Sequence, residues 1–119
     1  MKAFVDFLQN TAQTIRSVEA EAETALHQKK DITRYHECMR RKAQILADLA
    51  HNAAPFLGDI PEPRRQAIAQ RLETISQSAQ RSLDLKSVFY MSALLYPEDH
   101  RPGTPNDLEK WVAELARSR

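Results

Sequence analysis

The side chains that most often carry out chemistry are scattered along this 119-residue chain. Its histidines and its single cysteine are His27, His36, His51, His100 and Cys38. His36 and Cys38 are two positions apart, and residues at that separation on a helix do not face each other. The chain also lacks the Glu-x-x-His pairs that ligate iron in helical bundles. The spacing therefore predicts no metal site, and we expect no cofactor.

A catalytic nucleophile is not indicated either. Nucleophilic catalysis needs a base beside the nucleophile and usually an oxyanion hole. Cys38 lies on the predicted inner side of a helix, where a cysteine is normally inert packing. Only 2 glycines occur, which argues against phosphate-binding loops and dinucleotide-binding turns because both require glycine. We therefore expect that the protein is not an enzyme.

The composition is that of one globular domain, with 42% hydrophobic and 28% charged residues and a formal net charge of +1. Polar residues interrupt the first ten positions, unlike a signal peptide. No segment approaches the ~20 apolar residues of a membrane span. A single cysteine suits a reducing compartment. These features predict a cytoplasmic protein with one helical domain over residues 1–119 and no membrane partner.

Basic residues concentrate in two segments of the chain. Residues 29–50 and residues 64–86 each carry a net positive charge, whereas residues 3–28 are net negative. A nucleic-acid surface would combine a higher charge with aromatic side chains for base stacking, and Tyr35 is the only Phe, Tyr or Trp residue in the two basic segments. Packing of basic helices beside an acidic one explains the pattern as well. A small nucleic-acid-associated protein remains an alternative hypothesis.

Hydrophobic spacing of three and four residues predicts helices throughout the chain. Helix one is predicted from about residue 3 to 28 and helix two from about residue 32 to 53. We expect a turn at Lys29–Asp31, where Asp31 is a good N-cap; a continuous helix is the alternative. In helix two the heptad seam contains one charged residue, Lys42.

Helix three is predicted from about residue 59 to 96. Asp59 and Glu62 imitate a capping box at its start. Its last part, residues 83–96, is apolar on nearly all sides, and such a helix is expected to be covered on all sides. Something beyond helices one and two must therefore cover this end.

The C-terminal part consists of a linker, residues 97–106, and an amphipathic helix, residues 107–117, for which Thr104 is the predicted N-cap. This helix completes the core over residues 88–96, or it occupies or flanks a groove that receives a partner's amphipathic helix. Both hold at once if it is a detachable cover of that groove. We predict an all-α fold, an antiparallel helical bundle or hairpin with three long helices and a short C-terminal helix. A bundle that self-associates as a homodimer through its heptad seams, with Lys42 setting the register, is an alternative function.

The predicted first hairpin carries a recognisable run of residues. It reads Glu23-Thr-Ala-Leu26, then Asp31 and Tyr35, then Lys42-Ala-Gln-Ile-Leu-Ala-Asp-Leu49. This run resembles the first hairpin of the FlgN/FliT-type flagellar export chaperones. The resemblance implies a cytoplasmic helical protein that does no chemistry and holds the terminal amphipathic helix of a subunit of the bacterial flagellum. The client surface it implies is Phe89, Tyr90, Met91, Leu94 and Leu95, with Leu108, Trp111, Val112 and Leu115 on the covering helix.

Overall fold

A computed structural model describes residues 1–118, and every regular element in that range is helical. The predicted all-α class is therefore confirmed. A wider π-type turn, Thr24–Gln28, continues the first helix, and a short 3-10 turn, Ala54–Phe56, follows the third. The α-helices are α1 (Lys2–Glu23), α2 (Ile32–Ala47), α3 (Leu49–Ala53), α4 (Arg64–Asp84), α5 (Val88–Ala93) and α6 (Asp107–Ser118).

The long helices pack side by side in an elongated body of 48 × 29 × 25 Å. Helix α2 lies between α1 and α4, and α6 packs against α1. Helix α6 runs antiparallel to α1, because Glu109 near its start bonds Arg16 while the later Trp111 contacts Phe4. No strand occurs among the described residues.

Two hydrophobic clusters form the core. The larger one joins the first half of α1 to α3, α4 and α6. The smaller one joins the second half of α1 to the first half of α2 and to α5, through Val18, Met39 and Met91. Cys38 belongs to this cluster, as predicted, and burial raises the pKa of its thiol.

The predicted turn between the first two helices is confirmed. The Asp31 side chain accepts a hydrogen bond from the Arg34 backbone N–H at 3.0 Å, so Asp31 caps α2. Lys30 has a left-handed backbone with φ of 53°, a conformation that commonly ends helices.

Predicted helix two is interrupted at Asp48, and a serine from another helix explains the break. The hydroxyl of Ser76 on α4 donates to the Leu46 carbonyl at 2.9 Å and accepts from the Ala50 N–H at 3.0 Å. These are the two groups that an uninterrupted α-helix would join. A side chain inserted into the helical ladder in this way separates α2 from α3.

The prediction of one helix from residue 59 to 96 is wrong at both ends. Helix α4 begins only at Arg64, because Pro63 disfavours helical geometry at the residue before it. It ends in a Schellman motif, in which Ser87 N–H bonds the Ser82 carbonyl and Lys86 adopts a φ of 53°. Ser87 then caps the separate helix α5 by accepting from the Tyr90 N–H.

The C-terminal helix starts near the predicted place but with a different cap. Asn106 accepts from the Glu109 N–H at 2.9 Å, and Glu109 accepts from the Asn106 N–H at 2.8 Å. This reciprocal capping box replaces the Thr104 cap that the sequence suggested. The Asp107 N–H also donates to the Leu95 carbonyl at 3.0 Å. The predicted linker is therefore a closed loop whose two ends are joined.

Candidate functional site

The predicted covering helix lies in the core. Leu108, Trp111 and Leu115 are buried in the larger cluster, and the Trp111 ring meets the Phe4 ring edge-on at a centroid distance of 6.0 Å. Val112 is half-buried beside α1. Helix α6 thus covers the first half of α1 and leaves Phe89 exposed, while Leu94 and Leu95 pack against the same cluster as α6.

The predicted residues on α5 divide between two sides. Met91 points inward and is buried against Met39 and its neighbours. Phe89 is 74% exposed and Tyr90 is 54% exposed, with their rings packed edge to face. The expectation that this segment is covered on all sides is therefore wrong. Two large aromatic side chains on a short helix face solvent, together with the nearby Leu85.

A groove runs between α4 and the segment that follows it. One cavity of about 370 Å³ is bounded by Leu85, Tyr90 and Leu94, and a second of about 250 Å³ lies beside Ile75, Leu94 and Leu95. Ser78 and Leu94 border both, so the two cavities adjoin. We call this the α4–α5 groove. Its α4 wall is formed by Arg71, Thr74, Ile75, Ser78, Arg81, Ser82 and Leu85.

The charged groups at the groove differ in whether they have partners. Arg71 stacks on the Trp111 ring at 4.6 Å and lies 3.7 Å from the Glu114 carboxylate. Arg81 borders the cavity beside Leu85 and Tyr90 and forms no ion pair within residues 1–118. Asp107 lies at the far end. The groove therefore offers a partner an apolar floor and a guanidinium without a carboxylate.

Behind α5 lies a polar network centred on Lys42. This side chain is 1% exposed, and its ammonium lies 3.1 Å from a Glu19 oxygen and donates to the Ser92 carbonyl at 3.0 Å. Burial lowers the pKa of Lys42, and the Glu19 carboxylate opposes that shift. The sequence places one charged residue, Lys42, in the apolar stripe of helix two. The structure explains its presence, because the side chain reaches from α2 to Glu19 on α1 and to Ser92 on α5.

Tyr96 and Arg16 extend the network to the closed loop and α6. The Tyr96 hydroxyl donates to Glu19 at 2.8 Å and accepts from Arg16. Burial raises the pKa of Tyr96 to about 12. Arg16 holds Glu109 with two bonds of 2.9 and 2.7 Å, which lower the pKa of that carboxyl. Arg16, Glu19 and Tyr96 border a cavity of about 370 Å³ beside Tyr35 and Met39.

Some of the basic residues in the two positive segments have carboxylate partners within residues 1–118. Arg34 pairs with Glu21 and Glu37, and Arg65 pairs with Glu62 at 2.8 Å. No three His, Cys, Asp or Glu side chains in residues 1–118 lie close enough together to hold a metal. No helix in the described part of the chain combines the length and apolar character needed to cross a membrane.

Sequence reasoning missed the α4 wall of the groove. Its residues recur at three- and four-residue spacing, but Thr74, Ser78 and Arg81 read as an ordinary solvated helix face. The one available signal was the apolar run after Leu83, which exceeds what two neighbouring helices can cover. That signal identified Tyr90, Leu94 and Leu95, which do border the groove.

Comparison of the chain with protein-family models, curated proteins and solved structures found no significant match in any of the three.

Proposed function

We propose that the chain is a protein-binding module that holds an amphipathic helix of a partner protein in the α4–α5 groove. The observation that carries this proposal is the groove bordered by Leu85, Tyr90, Leu94 and Leu95. Its α4 wall extends from Arg71 to Leu85, about 21 Å at 1.5 Å per residue. That length accommodates about four turns of a helix, with apolar anchors at three- and four-residue spacing.

The charge of the groove specifies the partner further. A helix seated on the apolar floor would bring its flanking residues beside Arg81, which has no carboxylate partner among the described residues. A helix with Asp or Glu at that flank gains an ion pair, whereas one with Lys or Arg meets a like charge. The occupant we propose is therefore an amphipathic helix with an acidic flank.

This function is a holding role without chemistry, in the manner of an export chaperone acting in the cytoplasm. The support is the exposure of Phe89 and Tyr90 on a short helix, since exposed apolar patches mark interaction sites. Two or three buried anchors contribute ~1.5–3 kcal/mol each, which supports affinity on the order of micromolar after ordering costs.

The test uses two synthetic 18-residue peptides with the same leucine face, one flanked by glutamates and the other by lysines. Binding is measured by fluorescence anisotropy of the labelled peptide. We expect the acidic peptide to bind and Leu94→Asp to abolish binding, because the substitution puts a charge on the apolar floor. Arg81→Glu should weaken binding of the acidic peptide by about fivefold or more, which corresponds to the loss of an ion pair worth ~1 kcal/mol.

The matched control is Arg40→Glu, the same charge change at an exposed position of α2 that does not border the groove. It should leave binding of the acidic peptide unchanged. Failure of both peptides to bind the unaltered chain would overturn the proposal. Equal effects of the Arg81 and Arg40 substitutions would show general charge attraction in place of a groove.

Self-association is the second candidate, favoured by the same exposed side chains, Leu85, Phe89 and Tyr90. Two copies could then cover each other's apolar surfaces around a two-fold axis. Light-scattering mass during size exclusion separates the two functions. A monomer supports a foreign partner, whereas a dimer that Tyr90→Asp dissociates would assign the surface to a second copy of this chain.

A further inference from the structure

Lys42 is the only charged residue among the buried side chains of the described chain. Its ammonium is held between α1 and α5, 3.1 Å from Glu19 and 3.0 Å from the Ser92 carbonyl. That carbonyl belongs to the last turn of α5, where backbone oxygens have no partner within the helix. A lysine on α2 therefore donates a hydrogen bond to a carbonyl in the last turn of α5, the helix that carries Phe89 and Tyr90.

Core stability alone does not explain a lysine at this position. Removing a charge from water carries a large penalty, and apolar residues of similar volume often replace a buried ion pair without loss. What an apolar side chain cannot supply is a directional bond to one particular carbonyl. The buried ammonium therefore supplies a directional bond that an apolar replacement would lack.

Helix α5 needs such an attachment because little else fixes it. It has 6 residues, far fewer than an isolated helix requires. The Lys86 turn separates it from α4, and Leu95, with a φ of 74°, follows closely after its end. Met91 is its one fully buried residue, and Val88 and Leu94 at its two ends are only partly buried against the same cluster. Apolar contacts of this kind are not directional and restrain rotation and sliding weakly.

We propose that Lys42 is the positioning residue of the α4–α5 groove, holding α5 in place through its bond to the Ser92 carbonyl. The role of the groove rests on the function proposed above, but the positioning of α5 is a property of the chain alone. Tyr96 belongs to the same arrangement, because the Lys42 ammonium lies 4.9 Å from the centre of its ring. Glu19 positions the ammonium and accepts from the Tyr96 hydroxyl.

The test compares two variants of the full chain. Lys42→Met removes the bond to Ser92 and leaves Glu19 without its lysine, so it also lowers stability. Combining Lys42→Met with Glu19→Gln replaces the carboxylate that has lost its lysine by a neutral amide and keeps an acceptor for Tyr96. The double variant should recover most of the lost stability, yet the Ser92 carbonyl still lacks its donor. It therefore separates position from stability, and it is the variant to use if the single one fails to fold.

The first measurement is amide hydrogen exchange under native conditions, read at Met91 and Leu94 and compared with Leu46 in α2. In the double variant we expect the Met91 and Leu94 amides to exchange ~10- to 100-fold faster, the loss of one hydrogen bond to a charged group. The Leu46 amide should change little. Arg40→Met, which removes an exposed charge from the same helix, is the control and should alter neither.

The second measurement is binding of the acidic amphipathic peptide, which we expect the double variant to weaken about tenfold or more. Unchanged exchange at Met91 and Leu94 in the double variant would overturn the positioning role. Faster exchange at these amides, with no peptide binding even by the unaltered chain, would support the positioning role and reject the proposed function.

Discussion

The Tyr96 hydroxyl lies between a carboxylate and a guanidinium, and its titration should be visible in the stability of the protein. Its pKa is raised to about 12 in the folded chain by burial, with the Glu19 carboxylate adding to the shift. Between pH 10 and 12 the unfolded chain releases a proton that the folded chain keeps, so stability falls as the pH rises. Two pKa units correspond to at most ~2.7 kcal/mol, and partial exposure reduces the expected loss to about 1 kcal/mol.

Urea unfolding of the wild type and of Tyr96→Phe at pH 9, 10, 11 and 12 would measure this effect. Over this interval the free energy of unfolding should fall by about 1 kcal/mol more in the wild type than in Tyr96→Phe, because only the wild type has an ionisable hydroxyl at position 96. Tyr90→Phe, which removes a half-exposed phenol, is the matched control and should behave like the wild type. Parallel loss of stability in wild type and Tyr96→Phe would contradict the assignment.

Individual residues were predictable where local chemistry decides their role. Asp31 was identified as a cap and Cys38 as a buried residue, because capping and helical spacing depend on near neighbours in the chain. The partners of Lys42 were not predictable, since Glu19 and Ser92 lie far from it in the sequence. A lysine within an apolar helix stripe indicates that its ammonium has a partner, but the stripe alone does not identify that partner.

At the scale of elements, the break between α2 and α3 depends on one hydroxyl from α4. Ser76→Ala removes that hydroxyl and leaves the Leu46 carbonyl beside the Ala50 N–H, its partner in a regular helix. We expect Ser76→Ala to lower the free energy of unfolding by only about 1 kcal/mol, because the carbonyl and the N–H can then bond to each other. Ser76→Val should cost ~2–4 kcal/mol, since its bulk keeps the two groups apart while neither is satisfied.

Chemical denaturation of both Ser76 variants, with Ser82→Ala alongside, would test this account. Ser82 is also buried on α4, but its hydroxyl donates to Ala79 of its own helix, so its removal should change stability by about 0.5 kcal/mol or less. Equal losses of stability in Ser76→Ala and Ser76→Val would mean that the Leu46 carbonyl and the Ala50 N–H do not bond to each other when the serine is removed.

The helix boundaries show why some elements were predicted and others were not. Helices α1, α2 and α6 follow apolar spacing that is visible in the sequence. The division of predicted helix three depends on a left-handed Lys86, where glycine is the residue that normally marks such an end. No local signal identifies a lysine as a helix terminator, so the break, and with it the separate helix α5, could not be foreseen.

For the molecule as a whole, α6 should behave as part of the core. Trp111 packs on Phe4, and Arg71 stacks on its ring. Trp111→Ala should therefore lower the free energy of unfolding by ~3–5 kcal/mol. Phe89→Ala, at a 74% exposed aromatic, should stay within about 0.5 kcal/mol. Thermal and urea unfolding would measure both.

Equal stability of these two variants would mean that α6 is a detachable cover, as one of the sequence hypotheses had it. The sequence predicted the amphipathic face of this helix but not the surface it packs on. Its apolar residues suit α1 and α5 equally well by spacing alone. The choice of α1 is set by the Phe4 ring and by the two bonds from Arg16 to Glu109, which are contacts across the fold.

The joined ends of the loop between α5 and α6 make it a suitable carrier for a reporter. The Leu95 carbonyl and the Asp107 N–H lie 3.0 Å apart at the base of the loop, while Pro102 and Gly103 at its tip are exposed. Lengthening such a loop adds only a logarithmic entropy penalty. A short fluorophore-binding peptide inserted between Pro102 and Gly103 would therefore report on the protein in a living cell while both walls of the groove remain unaltered.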